Sequence, residues 1–154
     1  MERLKQKLVT EFEMKDLRSL RYFLGIEVVR NKTGISVSQR KSVLDLLGEI
    51  GLVGCKPVET PVDSNAKIDT QEAGNPVDRG RYQRLVGKLI YLSHTRPDIV
   101  FVVSRVSQFM HAPIEKHMET VHRILKYLKG TLGRGLFFGK NGERRIELIR
   151  MLTG

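Results

Sequence analysis

The sequence of 154 residues is poor in several features, and each shortage excludes a class of protein. Its single cysteine, Cys55, rules out an internal disulfide and a cysteine-rich zinc module. No apolar run approaches the roughly 18 residues of a transmembrane helix. Residues 1–7 also lack the apolar core of a signal peptide. We therefore expect an intracellular protein without a membrane partner.

Residue patterns typical of catalytic sites are missing as well. No two acidic residues adjoin, whereas two-metal phosphoryl transfer needs carboxylates that converge on ions about 3.5–4 Å apart. There is no phosphate-binding glycine loop and no serine nucleophile elbow. His117 and His122 lie five residues apart on a predicted helix, so they point in different directions and do not form a metal site by themselves. We predict no catalytic residue and no metal ligand.

Positive charge is abundant and is concentrated in one half of the chain. Lysine and arginine total 27 and the acidic residues 17, which gives a net charge of +10. Residues 1–80 contain 13 basic and 12 acidic residues, whereas residues 81–154 contain 14 and 5, a net charge of +9. This asymmetry predicts a polyanionic partner, nucleic acid before an anionic membrane, although a merely solvated surface is the alternative.

The first third of the chain reads as a short helix, a β-hairpin and a second helix. Apolar spacing predicts a helix over residues 2–12. β-Branched and aromatic residues predict a strand over 21–30, which a turn at 31–34 joins to a return strand at 35–38. Ser38 is the predicted cap of a helix that runs to about Gly51.

Residues 55–80 differ from the rest, and helices follow them. This stretch holds three of the five prolines and no aromatic residue, so it predicts an irregular linker. One helix begins near Arg81 and a second begins at Thr95, with Asp98 closing a capping box. A third helix runs over about 114–128, and short strands are predicted at 134–138 and 144–149.

Basic side chains form stripes on two of these helices. Arg81, Arg84 and Lys88 share one face of the first helix. The third helix carries four more, opposite its apolar face: His122, Arg123, Lys126 and Lys129. Such stripes predict contacts with phosphates, which give affinity that falls steeply with salt but read no sequence. The charged outer face of an ordinary helical bundle is the alternative.

Three long motifs resemble a known family. They are Tyr22-Phe23-Leu24-Gly25-Ile26-Glu27-Val28, the run Arg81–Ile99 with Arg-Tyr-Gln-Arg-Leu-Val-Gly and Thr-Arg-Pro-Asp-Ile, and Arg123-Ile124-Leu125-Lys126-Tyr127-Leu128-Lys129-Gly130. In this order they resemble the reverse transcriptase region of copia-type LTR-retrotransposon Pol polyproteins, over roughly residues 1–148. The resemblance implies that Phe23, Leu24 and Gly25 belong to a primer-grip hairpin. It also implies that the helices from Arg81 onward are thumb and connection, which contact an RNA or DNA primer–template duplex.

The family's catalytic Tyr-x-Asp-Asp motif, which binds magnesium, does not occur in this sequence. We therefore expect no cofactor in this chain, no polymerisation by it alone, and a possible association with an intact polymerase copy. One permitted codon choice for residues 148–154, read in another frame, spells Tyr-Thr-Asp-Ala-Asp-Trp, which resembles the start of an RNase H domain. We expect residues 149–154 to be an out-of-frame tail.

These inferences combine into an α+β, helix-dominated fold with five segments. We expect the end of a palm with its hairpin and helix (1–54), a linker (55–80), a helical thumb- or connection-like segment (81–133), strands that lead toward a lost RNase H domain (134–148) and the tail (149–154). The expected function is that of a reverse transcriptase fragment that contacts nucleic acid without catalytic carboxylates. A non-enzymatic nucleic-acid-binding module and a non-functional retrotransposon remnant are the alternatives.

Overall fold

Two antiparallel hairpins open the described part of the chain, which in this computed structural model covers residues 22–23, 26–63 and 74–148. Strand β1 (Tyr22–Phe23) pairs with β2 (Ile26–Asn31), and β2 pairs with β3 (Gly34–Ser38). The predicted strand over 21–30 is thus divided in two, while the hairpin around the turn at 31–34 is confirmed. The helix predicted over 2–12 lies outside the described residues.

The last two strands complete the same sheet. Strand β4 (Arg134–Gly139) pairs with β3, and β5 (Arg144–Leu148) pairs with β4, which gives the antiparallel order β1-β2-β3-β4-β5. Strands β3 and β4 approach closely at Gly34, where a Cβ atom would lie 2.2 Å from the Phe138 carbonyl oxygen. Only glycine fits there. The predicted strands near 134–138 and 144–149 are confirmed as members of the hairpin's sheet.

Among the described residues, four α-helices lie between β3 and β4 in the chain. They are α1 (Arg40–Glu49), α2 (Arg79–Leu92), α3 (Val100–Ser107) and α4 (Glu115–Gly130). Each buries one apolar stripe, as the sequence periodicity predicted. No helix among the described residues is long and apolar enough to cross a bilayer. The fold is therefore α+β, while its assignment to palm, thumb and connection stays a prediction.

The core has two parts that α2 connects. Leu47 of α1, Leu89 of α2 and Leu128 of α4 belong to the larger cluster between the helices and are fully buried. A smaller cluster lines one face of the sheet, and Tyr91 of α2 packs against it. Helix α1 of the predicted segment 1–54 and the helices of the predicted segment 81–133 therefore share one core.

Two predicted helix caps are wrong. Ser38 is buried as the last residue of β3, and Gln39 precedes α1 without a side-chain capping bond. Gln39 instead donates from Nε2 to the buried Thr95 hydroxyl at 3.0 Å. Thr95 therefore does not cap a helix, and α3 is entered through a 3-10 turn at Pro97–Ile99. Burial makes these polar side chains bond across the fold instead of to their own backbone.

The irregular stretch predicted over residues 55–80 is attached to the helices at both of its described ends. Val58 and Val62 pack against the helical core. At the other end, the Val77 N–H donates to the Pro113 carbonyl at 3.2 Å, close to the start of α4. Residues 55–63 form neither helix nor strand and lie on the helical core, while the role of 55–80 as a linker stays a prediction.

Candidate nucleic-acid interface

The exposed face of α2 carries the first group of predicted contacts, Arg81, Arg84 and Lys88. The helix begins where the Asp78 carboxylate accepts a hydrogen bond from the Arg81 N–H at 3.0 Å. This cap satisfies one of the free N–H groups of the first turn. Arg81 and Arg84 are exposed and Lys88 is half-buried, so the predicted stripe lies on the solvent side of the helix.

Glu49, the last residue of α1, pairs with two of these cations. Its Oε1 lies 2.6 Å from Arg84 Nη2 and its Oε2 lies 3.1 Å from Lys88 Nζ. The hydrogen bond from Lys88 lowers the pKa of Glu49 by more than burial raises it, and Arg84 lowers the pKa further. The Arg84 and Lys88 side chains are 61% and 42% exposed, so these ion pairs contribute little to stability. The sequence did not predict this partner, which lies 35 or more residues away.

A cleft of about 480 Å³ lies between α1 and α2 beside this ion pair. Arg84 and Lys88 line it from α2, and Asp45 and Glu49 line it from α1. Gly87 also lines the cleft, and a Cβ atom added to it would meet no heavy atom within 4 Å. The backbone of α2 is thus bare and open at the middle of its basic face.

The exposed side of α4 carries the second predicted group, and two of its members bind the chain itself. Arg123 Nη2 donates to the Thr60 hydroxyl at 3.0 Å, and Lys129 Nζ donates to the Cys55 carbonyl. All four of the predicted side chains are half-buried: His122, Arg123, Lys126 and Lys129. The predicted stripe therefore exists, but residues 55–63 cover part of it.

The two basic faces meet at His122. Its Nε2 atom is buried and has no hydrogen-bond partner within the described ranges. Burial lowers the pKa of His122, and the charges of Arg81 on α2 and Lys126 on α4 lower it further. Burial and both charges favour the neutral form of His122, which lies close enough to Arg81 of α2 and Lys126 of α4 to be affected by both.

Comparison with known proteins establishes the relationship. Residues 1–64 match the family model described as "Reverse transcriptase (RNA-dependent DNA polymerase)". The chain is 44% identical over 133 residues to the Retrovirus-related Pol polyprotein from transposon RE1 of Arabidopsis thaliana. It is 37% identical over 147 residues to the corresponding polyprotein from transposon TNT 1-94 of Nicotiana tabacum. The chain is a homologue of retrotransposon Pol polyproteins. The resemblance to copia-type elements is thus confirmed.

This Pol homologue corresponds to a small part of those relatives. The matches cover 86% and 89% of the chain but only 9% of the RE1 polyprotein and 11% of the TNT 1-94 polyprotein. An uncharacterised mitochondrial protein of Arabidopsis thaliana is 36% identical over 143 residues, which are 92% of this chain and 58% of that protein. No solved structure matches the chain.

The primer-grip residues expected in the Pol homologue are only partly described. Phe23 is the last residue of β1, and its backbone pairs with Ile26 of β2. Leu24 and Gly25 lie outside the described residues. The assignment of Phe23, Leu24 and Gly25 to a primer grip stays a prediction.

Arg96 and Asp98 form a buried ion pair that the sequence did not indicate. Arg96 is 3% exposed and binds Asp98 through two contacts, of 3.1 and 2.8 Å. Tyr127 donates its hydroxyl to Asp98 at 2.5 Å, and Arg96 also donates to the carbonyl and hydroxyl oxygens of Thr131. Burial raises the pKa of Asp98, but the hydrogen bonds from Arg96 and Tyr127 prevail and lower it. Asp98 therefore joins α4 to the turn before α3 instead of closing a capping box.

The magnesium ion that the family implies has no fitting ligand set in the described part of the Pol homologue. No three histidine, cysteine or acidic side chains there are arranged to hold a metal ion. The Asp98 carboxylate is engaged by Arg96 and Tyr127, and the Glu49 carboxylate by Arg84 and Lys88. The chemistry of the described site is that of a cationic surface with a cleft.

Proposed function

We propose that this region of the Pol homologue binds primer–template nucleic acid through the exposed face of α2. The observation that carries the proposal is Gly87, which lies bare in the cleft with Arg84 and Lys88 beside it. Glycine inside a helix costs about 1 kcal/mol relative to alanine, and nothing in the described chain packs against this one. A close approach of a nucleic-acid backbone or groove edge to the helix accounts for it.

The two cations beside Gly87, Arg84 and Lys88, are held in position by weak ion pairs. Glu49 keeps Arg84 and Lys88 in place through exposed ion pairs that contribute little to stability. Arg84 and Lys88 share Glu49, and Asp45 also lines the cleft, so a phosphate has to replace Glu49 as the partner of these two cations. A phosphate that enters can form charge-assisted hydrogen bonds with both side chains. Arg81 and Lys126 extend the same surface toward α4.

The finer assignments belong to the same proposal. Phe23, Leu24 and Gly25 act as a primer grip, and the helices from α2 onward act as thumb and connection. Because the 154 residues contain no Tyr-x-Asp-Asp motif, the chain by itself binds without polymerising. A primer-extension assay with magnesium tests this part, and incorporation above background would contradict it.

The variant Gly87→Ala tests the binding surface. The added methyl group has room in the free protein and improves the helix, so stability rises by about 1 kcal/mol. Because the methyl group blocks close approach, we expect affinity for a primer–template duplex to fall by about tenfold, which corresponds to about 1.4 kcal/mol. Fluorescence anisotropy with a labelled duplex measures the affinity, and thermal unfolding measures the stability.

Gly48→Ala is the matched control for this experiment. Gly48 is an exposed glycine in α1 whose added Cβ atom would meet only a Val53 methyl group, at 3.8 Å, and it does not line the cleft. We expect this variant to gain stability and to bind the duplex as the parent does. Equal binding by both glycine variants, or binding by the parent that does not weaken with rising salt, would refute the proposal.

A further inference from the structure

Residues 55–63, the strap, lie across the basic side of α4 and occupy two of its cations. The Lys129 ammonium group donates to the Cys55 carbonyl, and the Arg123 guanidinium group donates to the Thr60 hydroxyl at 3.0 Å. The strap passes close to the end of the helix, because a Cβ atom at Gly130 would lie 2.9 Å from Pro57 Cβ. Both cations belong to the surface that would otherwise face a polyanion.

The acceptors that the strap offers are weaker than a phosphate. A carbonyl and a hydroxyl oxygen are both neutral, whereas hydrogen bonds between two ionised groups are shorter and stronger. A phosphate that reached Arg123 or Lys129 would therefore bind these side chains better than Thr60 or Cys55 does. The contacts that hold the strap are those that nucleic acid is best able to replace.

Apolar packing and a local backbone hydrogen bond also hold the strap. In the part of the chain that the structure describes, its single backbone–backbone hydrogen bond joins the Cys55 N–H to the Leu52 carbonyl at 3.2 Å. Val58 and Val62 are its anchors in the helical core. A void of about 290 Å³ is lined by these valines on one side and by residues of α4 on the other. Incomplete packing forfeits dispersion contacts, so displacing the strap costs less than displacing a close-packed segment.

The charges around this void resemble a masked polyanion site. Lys116, Arg123 and Lys126 line it from α4, and Asp63 lines it from the strap. The Asp63 carboxylate lies among these three cations, where a phosphate would otherwise bind. Its negative charge neutralises part of their positive charge. Glu119 of α4 also lines the void and moderates that charge.

From these contacts we infer that the strap is a displaceable, autoinhibitory cover on the nucleic-acid surface of α4. Binding of a duplex to α2 and Lys126 brings phosphates within reach of Arg123 and Lys129. The strap then gives up both cations and leaves the helix, so the contact area grows only after a first engagement. This inference rests on the proposed function and adds to it a second binding surface, on α4, whose access the strap controls.

The single cysteine reports the position of the strap directly. Cys55 is half-buried, and its carbonyl group is bound by Lys129. If a duplex displaces the strap, the rate at which a small neutral reagent such as iodoacetamide alkylates Cys55 rises several-fold when saturating primer–template duplex is added. A rate that is unchanged or lower in the presence of duplex would overturn the inference.

A neutral double variant, Val58→Ser with Thr60→Ala, releases the strap without changing the net charge. It removes one apolar anchor and the hydroxyl that accepts from Arg123. We expect duplex affinity to rise about tenfold, because the strap no longer has to be displaced, while the logarithmic salt slope stays that of the parent, because both bound states neutralise the same phosphates. If the parent binds and this variant binds no more tightly, the inference fails while the proposed function stands. If neither binds, both fail.

Asp63→Asn provides a second test should the double variant not fold. It removes one negative charge from the void, whereas Glu143→Gln removes one from the ion pair with Arg145 in the β4–β5 turn region. Both variants gain the same net charge, so long-range attraction changes equally. We expect Asp63→Asn to bind the duplex at least threefold more tightly than Glu143→Gln, and equal affinities would overturn the inference.

Discussion

Asp98→Asn tests the buried ion pair that joins α4 to the turn before α3. The substitution keeps the shape of the side chain but replaces one accepting carboxylate oxygen with an NH2 group. This NH2 group cannot accept the hydrogen bonds that Arg96 and Tyr127 donate to Asp98. The Arg96 side chain, which is only 4% exposed, then loses its charged partner. The Tyr127 hydroxyl loses a charged acceptor. The Arg96 guanidinium group keeps its hydrogen bonds to Thr131 at 3.1 and 2.7 Å.

The magnitude follows from how much of the pair is buried. Removing one partner of a fully buried pair costs about 3–5 kcal/mol. The Asp98 side chain is 18% exposed and Thr131 still provides oxygen acceptors to Arg96, so we expect a loss just below that range, about 2–3 kcal/mol. Because the folded pKa of Asp98 lies below its ordinary value, its contribution is complete above the unfolded pKa and is lost as pH falls through the folded one.

Urea unfolding followed by circular dichroism measures this loss. Glu143→Gln is the control, because it removes the same charge from an exposed ion pair with Arg145 and is expected to cost less than about 0.5 kcal/mol. The acid arm of the stability profile should also be shallower in Asp98→Asn than in the parent. A loss no larger than that of the control at neutral pH would refute the reasoning.

Two other positions give sharp expectations. The His117 ring is stacked on Phe109, and its Nδ1 accepts the Ile114 N–H at 3.1 Å; burial and Lys116 lower its pKa below the usual 6.5. The unfolded chain thus takes up a proton first, so the free energy of unfolding should decrease as pH falls through about 6.5, and His117→Gln should flatten this dependence in denaturant titrations. Gly34→Ala forces a Cβ atom against the Phe138 carbonyl oxygen and should lower the midpoint of thermal unfolding markedly, whereas a glycine-to-alanine change at the open Gly87 should not.

Local patterns in the sequence predicted the elements well. The apolar repeat of α4 predicts which side of that helix is buried, and the structure confirms it. The alternation over 35–38 predicts the strand but not its burial, because Ser36 and Ser38 are buried as well as Val37. The basic stripes were also visible, because residues three and four apart share a face of a helix. These features depend on neighbours in the chain alone.

Contacts between distant parts of the chain could not be predicted in this way. Nothing near Arg84 in sequence indicates that Glu49 will reach it, and nothing near Lys129 indicates the Cys55 carbonyl. Asp98 looked like a capping residue because it lies three positions after Thr95. In the fold its partners include Tyr127, 29 residues away. Which cations are free for a ligand is therefore a property of the packing.

The pairing of β3 with β4 has a consequence for how the chain is made. These strands lie about a hundred residues apart, yet they form the centre of the sheet. A ribosome releases the first hairpin well before its partner strand exists, so the edge of β3 stays open throughout synthesis of all four helices. Premature termination anywhere before Arg134 would leave that edge permanently available to other strands, and such products should be prone to intermolecular association.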